Sequence, residues 1–282
     1  MERSQSGEWD EFEAVRVDPD PIHRGKRAGE LITLYQQRAT ELARLRKAAI
    51  EEAHGRLDMS YTDIAAQLGI TKGRVTQIRS TAPGPERAFF GVGPIEVALP
   101  GRLIREREDL VIAGPDDAAG THLITELEKL AFAVSDRVVL DPRGEWEPTS
   151  DAVVVCGPTS AHIGHKLMSQ DPVLRMAMGD NVKWYIVDQT TGEEFCSPMD
   201  ETEPRRADHA YIARRKLGKN VIIHIAGLHA LGSVGAAHYL TGALPELFAE
   251  LGRSEFSMAV TSEFDGLTPT KIDVLVPPKR WA

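Results

Sequence analysis

The sequence of 282 residues is short of cysteine, and this shortage excludes some classes of protein. Its only cysteines, Cys156 and Cys196, are too few for a disulfide-rich scaffold, and no histidine stands at zinc-ligand spacing beside either of them. We therefore expect two buried free thiols and no metal site. Aromatic residues at 6% and charged residues at 27% are typical of a globular chain, which excludes a wholly disordered or collagen-like protein.

The amino terminus also lacks the basic and then apolar pattern of a secretory signal, so we expect no export and a cytoplasmic location. The stretch from Asn220 to Pro245 has no charged residue and is long enough to cross a bilayer. It holds four glycines and three histidines, however, and fits a strand over Val221–Ala226, a glycine-rich loop and a helix. We therefore predict no membrane partner.

A net charge of −9 conceals an uneven distribution of charge along the chain. Residues 1–22 have two Lys/Arg against seven Asp/Glu, a net −5, and we predict that they form a disordered acidic tail. Residues 23–83 have eleven Lys/Arg against six Asp/Glu, a net +5. A basic segment between acidic ones is the pattern to look for in a DNA-binding protein, although a solvated helix surface also produces it.

The basic segment begins with a predicted helix from Glu30 to His54, which contains no proline and has high helix propensity. Its apolar residues recur in steps of three and four and form one face: Leu31, Tyr35, Ala39, Leu42, Leu45, Ala49 and Ala53. This face can pair with a second copy of the chain or pack on the other domain, and the sequence does not choose between them.

The segment from Ser60 to Arg79 reads as two short helices joined by a tight turn. Ser60 can cap the first helix, Gly69 can supply the positive φ of the turn, and Thr71 can cap the second helix. Val75 and Ile78 then face inward, and the remaining side chains of the second helix face outward: Lys72, Arg74, Thr76, Gln77 and Arg79.

This pattern resembles the helix-turn-helix of sigma-factor region four and of the bacterial regulators built like it. The resemblance implies an all-α DNA-binding domain over 23–81, bound to double-stranded DNA in the nucleoid, with the second helix in the major groove. The DNA-contacting residues would be Thr71, Lys72, Gly73, Arg74, Thr76, Gln77 and Arg79. Because one such unit makes a small interface, tight specific binding would need a homodimer.

The residue types suggest that some of these side chains contact bases and others contact phosphates. Arg74 can pair with guanine and Gln77 with adenine, so these two are the candidates for base contacts. Phosphate contacts suit Lys72 and Arg79. They also suit three basic residues of the first helix: Arg44, Arg46 and Lys47. Gly73 costs about 1 kcal/mol against alanine inside a helix, and it either lets the backbone approach DNA or is simply tolerated.

After a predicted linker over 82–92, the pattern changes to an α/β domain over 93–282. Short apolar runs predict strands at Ile95–Leu99, Leu110–Ala113, Arg137–Leu140, Ala152–Cys156, Lys183–Val187, Val221–Ala226, Met258–Thr261 and Ile272–Val276. Predicted helices lie between them, at Thr121–Ala133, Ala161–Ser169, Ala207–Leu217 and Val234–Leu251. The alternation predicts a Rossmann-like, mostly parallel sheet, with the last two strands as an antiparallel hairpin through Asp265-Gly266.

Three strands of this domain run into a glycine and then a helix, and two of these units, which share Gly-Pro, suggest an internal repeat. In open α/β sheets ligands bind beyond the carboxyl ends of strands, and helix amino ends favour anions. The candidate ligand-binding residues are Gly114, Asp116, Asp117, Gly157, Thr159, Ser160, His162, Gly227, His229, Gly232, Ser233 and Gly235. Close packing explains the glycines equally simply, and helix capping explains the polar side chains.

This part of the chain resembles Rossmann-like nucleotide-sensing domains, although its glycines match neither the dinucleotide fingerprint nor a Walker loop. The prediction is therefore a DNA-binding transcriptional regulator whose small-molecule effector is a nucleotide or a phosphorylated metabolite, with no further cofactor. The alternative is a nucleotide-processing enzyme that cleaves or transfers a glycosidic bond, with one carboxylate near the ribose. Candidates for that carboxylate are Asp116, Asp117, Glu126, Asp188 and Glu194. A third possibility is an assembly protein without a ligand.

Overall fold

A computed structural model describes residues 3–104, 109–135, 137–179 and 183–281. The chain divides into two compact units, residues 1–82 and 83–282. The first unit is helical and the second contains the β-sheets.

In its described part, from Arg3 onward, the helical unit contains four helices separated by short breaks in the chain. They are α1 (Arg3–Arg16), α2 (Pro21–Arg56), α3 (Tyr61–Gln67) and α4 (Lys72–Thr81). The Asp20 carboxylate accepts hydrogen bonds from the first turn of α2, which is why α2 begins nine residues before the predicted Glu30. Ser60 caps α3 and Thr71 caps α4, as the sequence predicted.

A small apolar core holds the last three helices of this unit together. Ile50 of α2 is buried against Ile64 and Ala65 of α3 and against Val75 and Ile78 of α4. Between α3 and α4, Gly69 adopts a φ of +63°, so the turn has the left-handed backbone that the sequence predicted.

The acidic segment predicted to be disordered is instead helical over most of its length, as α1. Phe12 stacks on the Tyr35 ring of α2, with 5.5 Å between the ring centroids. This apolar contact stabilises the acidic helix α1 against α2. A prediction based on charge alone does not take it into account.

The described residues of the α/β unit open with a 3-10 helix at Pro85–Phe89, followed by eleven strands, four α-helices and a second 3-10 helix at Pro198–Asp200. Their order is β1 (Ile95–Ile104), β2 (Asp109–Ile112), α5 (Gly114–Lys129), β3 (Val138–Leu140), β4 (Asp151–Val155), α6 (His162–Ser169), β5 (Leu174–Met178), β6 (Trp184–Asp188), β7 (Glu194–Cys196), β8 (Ala207–Leu217), β9 (Asn220–Gly227), α7 (Ala230–Gly242), α8 (Leu244–Leu251), β10 (Phe256–Asp265) and β11 (Thr268–Arg280).

The main sheet is mixed rather than mostly parallel. Its strand order is β11-β10-β8-β9-β4-β1-β2, with β3 also paired to β1. The pairs β1–β3, β1–β4 and β4–β9 are parallel, whereas β1–β2, β8–β9, β8–β10 and β10–β11 are antiparallel. Strands joined by a short turn must run antiparallel, and the turns at Gly218 and Gly266 both adopt positive φ. The predicted hairpin at Asp265-Gly266 is confirmed.

The largest error in the sequence prediction concerns β8, which was predicted to be a helix over Ala207–Leu217. The segment is a strand, between β9 and β10 in the sheet, and Ala207–Arg215 is buried except for half-buried His209. Its Arg214 and Arg215 gave it a helical composition, but their guanidinium groups bond to backbone carbonyls, including those of Phe89 and Leu167. Tertiary partners therefore outweighed local propensity.

Layers on both faces of the sheet complete the unit. Side chains of α5, α7 and α8 pack into one buried cluster with the strands. On the opposite face, α6 covers part of the sheet and a separate antiparallel sheet, β5-β6-β7, covers the rest. This second sheet was only partly predicted, because β5 and β7 are short and carry no clear alternation.

Two smaller expectations also need correction. The predicted linker 82–92 contributes Phe89 and Phe90 to the α/β core, so only its first residue lies in the helical unit. Cys156 is buried but Cys196 is exposed, because it lies on β7 at the edge of the smaller sheet.

Among the described residues, none of the helices combines the length and the apolar character needed to cross a membrane.

Candidate functional site

A cavity of about 220 Å³ lies where β1, β4 and β9 give way to loops, as expected for a sheet with parallel central strands. It is lined by Pro100, Arg102, Asp116, Cys156, Gly157, Pro158, Thr159, Ser160, Met176, Trp184, Gly227, Leu228, His229, Ala230 and Ser233. The volume is below the range of about 300–1,000 Å³ that is usual for drug-sized ligands, so the cavity suits a small metabolite.

All three predicted strand-glycine-helix units contribute to this cavity. Of the predicted ligand-binding residues, it is lined by Asp116, Gly157, Thr159, Ser160, Gly227, His229 and Ser233. It is not lined by Gly114, Asp117, His162, Gly232 or Gly235. Asp117 instead forms an ion pair with Arg137 on the side of α5. The two Gly-Pro units are not structurally equivalent, because β2 runs antiparallel to β1 whereas β4 runs parallel to it.

Asp116 is the unusual side chain of the cavity. It lies in the first turn of α5 and is 4% exposed, yet its Oδ2 atom has no hydrogen-bond partner among the described residues. That oxygen is ion-paired with Arg102, whose guanidinium nitrogen lies 3.6 Å away, beyond hydrogen-bond distance. Burial raises the pKa of Asp116 to about 6, against the opposing effect of Arg102. Such a carboxylate gains most from a bound group that donates hydrogen bonds.

The loop after β9, which contains several of the predicted ligand-binding residues, already holds a carboxylate of the chain itself. Asp208 of β8 is fully buried and accepts hydrogen bonds from the backbone N–H groups of His229 and Gly232, at 2.9 and 2.8 Å. The Ser197 hydroxyl donates to its other oxygen at 2.6 Å. At the amino end of α7, these two N–H groups are therefore taken by an internal anion and are not available to a bound one.

Glycine is required in this loop for packing. A Cβ atom on Gly232 would lie 2.5 Å from the His209 carbonyl oxygen and 2.7 Å from the Asp208 carboxylate. A Cβ on Gly227 would lie 2.1 Å from the His229 carbonyl oxygen. These backbone approaches support close packing as the reason for both glycines, one of the two explanations that the sequence left open.

Sequence reasoning missed several residues of the cavity wall. Arg102 lies on the part of β1 beyond the predicted strand end, and Met176 and Trp184 come from the smaller sheet. Cys156 was noted only as a buried thiol; burial raises its pKa to about 12, so it stays protonated and is not a nucleophile at neutral pH. No motif could have identified these residues, because only the fold brings them to one place.

The second candidate surface is the outward face of α4. Thr71, Lys72, Gly73, Arg74, Thr76 and Gln77 are all exposed. Arg74 donates a hydrogen bond of 2.6 Å to the Gln77 side chain, so the two predicted base-reading groups form one polar pair in the free protein. Arg79 is half-buried, with its guanidinium carbon 4.3 Å from the centre of the Tyr61 ring. Arg79 is therefore held against α3 and contributes less to this face than predicted.

The predicted basic face of α2 is also smaller than expected. Arg44 is buried and forms two hydrogen bonds to the Glu41 carboxylate, at 2.7 and 2.8 Å. Lys47 donates to the Ala82 carbonyl oxygen at 3.3 Å, which leaves Arg46 as the exposed cation of the three.

Within the described residues, no group of three or more His, Cys, Asp or Glu side chains could hold a metal ion. The cavity and the face of α4 are the two candidate surfaces that contain the binding residues predicted from the sequence. When the chain was compared with protein-family models, with curated proteins and with solved structures, none of them matched it.

Proposed function

We propose that the chain is a sequence-specific DNA-binding regulator, in which α3 and α4 form a helix-turn-helix and the α/β unit binds a small-molecule effector. The observation that carries the proposal is the division of α4 into two faces. Val75 and Ile78 are buried against α2 and α3, while Lys72, Arg74 and Gln77 are exposed. This arrangement suits a helix that lies in the major groove and reads base edges.

The cavity supports the regulatory half of the proposal. A ligand at Asp116 would contact α5, β4 and the start of α7 at once, so it can favour one arrangement of these elements over another. To regulate DNA binding, it needs different affinities for the two states, typically by about 1–3 kcal/mol of coupling free energy.

Genome-wide capture of DNA by the full chain, repeated in vitro at two salt concentrations, tests the DNA-binding half. We expect discrete sites that share a motif, with two half-sites about one helical turn apart. Diffuse binding that disappears at the higher salt concentration would show that only the basic charge contacts DNA, and it would contradict sequence-specific recognition.

A homodimer is part of the proposal, because a single recognition helix buries too little DNA for tight specific binding. The helix α2 exposes Leu42 and Leu45, at 65% and 45%, on the apolar face that the sequence indicated, and it also exposes Ile32, at 58%. We place the second copy of the chain on this face, since pairing there buries the exposed leucines and provides the second recognition helix.

Leu42→Glu is expected to convert the dimer to a monomer, because it puts a charge in the centre of that apolar contact. Sedimentation should show half the mass, and affinity for a two-half-site operator should fall about 100-fold or more. Gly29→Glu is the matched control, since Gly29 is exposed on the same helix and a Cβ there meets no atom within 4 Å. A dimer that persists in Leu42→Glu would place the contact elsewhere, and a monomeric natural protein would contradict the dimer altogether.

Gly73→Ala separates the two explanations for glycine in α4. A Cβ at this position meets only the Thr71 hydroxyl, at 3.9 Å, so alanine should stabilise the helical unit by up to about 1 kcal/mol. If the glycine lets DNA approach the backbone, operator affinity should nevertheless fall about tenfold. Urea denaturation and an operator-binding titration on the same variant measure both effects. A more stable protein with unchanged affinity would show that Gly73 is only tolerated.

The second candidate function is an enzyme that cleaves or transfers a glycosidic bond, and Asp116 is the observation that favours it. A buried carboxylate with a pKa of about 6 is suited to accept a proton from water near neutral pH. Release of free base from a nucleoside or nucleotide, lost in Asp116→Asn, would support the enzyme over the regulator.

A further inference from the structure

We propose that the cavity binds an uncharged, hydroxyl-rich molecule of monosaccharide or nucleoside size, and that it excludes phosphorylated ligands. The inference deepens the proposed function, on which it rests for the view that this ligand is the effector. It departs from the phosphorylated effector that the sequence suggested. Three features of the cavity carry it: the internal anion at α7, the unsatisfied carboxylate of Asp116 and the chemistry of the remaining walls.

The first feature makes the amino end of α7 unfavourable for a phosphate. In the loop before α7, the backbone N–H groups of His229 and Gly232 already donate to the buried carboxylate of Asp208. The Gly227 N–H is also satisfied, since it donates to the Ser233 hydroxyl at 3.0 Å. A phosphate at this helix end would have to displace or oppose a buried negative charge.

The second feature calls for a donor. The Oδ2 atom of Asp116 lacks a hydrogen-bond partner within the described part of the chain, although the residue is 4% exposed and lines the cavity. Leaving a buried acceptor unsatisfied is costly, so a ligand that donates to this oxygen gains affinity. An ionised phosphate offers acceptor oxygens and no donor, so it would leave this oxygen without a hydrogen bond.

The third feature argues that the donor is neutral. Arg102 lies 3.6 Å from the Asp116 carboxylate and balances its charge, and His229 is paired with Asp200 at 3.0 Å. With local charges matched, an ammonium group would add an excess positive charge, whereas a hydroxyl group would not.

The remaining walls suit a hydroxylated ring. Thr159 and Ser160 bring two hydroxyl groups, each able to donate and to accept, from the loop after β4. Trp184 and Met176 add an apolar wall, on which the carbon face of a sugar or a flat base can pack. The volume of about 220 Å³ is of the size of one such ring system.

Calorimetric titration of the free full-length chain tests the proposal without DNA. The probes are D-ribose, D-glucose, the four ribonucleosides, the corresponding 5′-monophosphates and agmatine as an amine. We expect at least one uncharged probe to bind, and a nucleoside to bind at least tenfold more tightly than its monophosphate. Binding of the monosaccharides alone would identify a free sugar as the source of the hydroxyls, whereas selective nucleoside binding would identify the ribose or base. Tighter binding of a monophosphate, binding of agmatine alone, or no binding of any uncharged probe would overturn the proposal.

Two variants locate the bound probe. Asp116→Asn should weaken binding of the probe at least tenfold, while Asp117→Asn, at the next residue of α5 but outside the cavity, should leave it unchanged. Because Asp116 is buried with an unsatisfied oxygen, free Asp116→Asn should unfold at the same or a higher temperature than the natural protein. Unchanged affinity in Asp116→Asn would overturn the assignment of this carboxylate.

The same protein preparations distinguish a failure of the ligand inference from a failure of the proposed DNA-binding function. If no uncharged probe binds but the protein still binds its operator, only the ligand inference is contradicted. Ligand binding by a protein that recognises no DNA sequence would instead remove the proposed regulator and leave the cavity assignment intact.

Discussion

The double substitution Arg74→Ala with Gln77→Ala is expected to abolish specific DNA binding and to leave the helical unit folded. Both side chains are exposed, so their loss creates no cavity. Each good contact between such a side chain and a base pair contributes about 1–3 kcal/mol of discrimination. Losing both corresponds to roughly 30-fold to 10⁴-fold in affinity for the operator recovered by genomic capture. Affinity for unrelated DNA should change much less, because it depends on charge rather than on base contacts.

The contact between the two side chains makes the single variants informative. Arg74 and Gln77 are hydrogen-bonded to each other at 2.6 Å, so removing either one also frees the other from its position. We therefore expect the single substitutions to be non-additive in binding free energy. Titrations of operator and random DNA over a range of salt concentrations separate the loss of base contacts from the loss of one positive charge.

Arg56→Ala is the matched control for that charge. Arg56 lies at the end of α2 in the same unit, and its side chain is 71% exposed with only a surface ion pair to Glu52. Its removal should leave the ratio of operator to random affinity unchanged. Equal losses in Arg56→Ala and in the double variant would show that α4 does not read bases.

Asp208→Ala is expected to destabilise the α/β unit by about 2–4 kcal/mol. The substitution leaves the N–H groups of His229 and Gly232 and the Ser197 hydroxyl without their common acceptor, and each buried unsatisfied group costs about 1–3 kcal/mol. Burial raises the pKa of Asp208, so removing its charge recovers part of this loss. Urea denaturation followed by tryptophan fluorescence measures the change, because Trp146, Trp184 and Trp281 all lie in this unit.

Two further variants show whether the hydrogen bonds are the cause. Asp208→Asn keeps one carbonyl oxygen for the two backbone donors, so it should lose less than half as much stability as Asp208→Ala. Asp117→Ala removes another carboxylate near a helix amino end, but that side chain is 48% exposed and ion-paired only with Arg137. We expect it to cost less than about 1 kcal/mol. Similar losses of unfolding free energy in Asp117→Ala and Asp208→Ala would contradict a specific stabilising role for the hydrogen bonds to Asp208.

The sequence by itself determined the features that depend on neighbouring residues. Ser60, Gly69 and Thr71 predicted the ends of two helices and the turn between them, because capping and positive φ are decided within a few residues. Val75 and Ile78 were correctly placed in the core by helical periodicity. Asp265-Gly266 predicted a hairpin for the same local reason.

The convergence of three chain segments on one cavity was also foreseeable, because strand-glycine-helix units bring their ends to the edge of a sheet. Seven of the predicted residues line the cavity, among them Asp116 and Ser233. The sequence could not show which polar groups were still free to bind a ligand. That depends on partners distant in the chain, such as Asp208, which lies 21 residues before His229 and occupies its N–H group.

Only the tertiary structure decided the direction of the strands, the identity of β8 and the chemistry of the site. An arginine-rich segment became a buried strand because carbonyl groups far away in sequence accept its hydrogen bonds, including that of Phe89, 125 residues from Arg214. The sheet became mixed because its edge strands pair through short turns while its centre needs helical crossovers. Burial, strand pairing and charge compensation depend on residues that are close in space, whereas a local sequence pattern reflects only residues that are close along the chain.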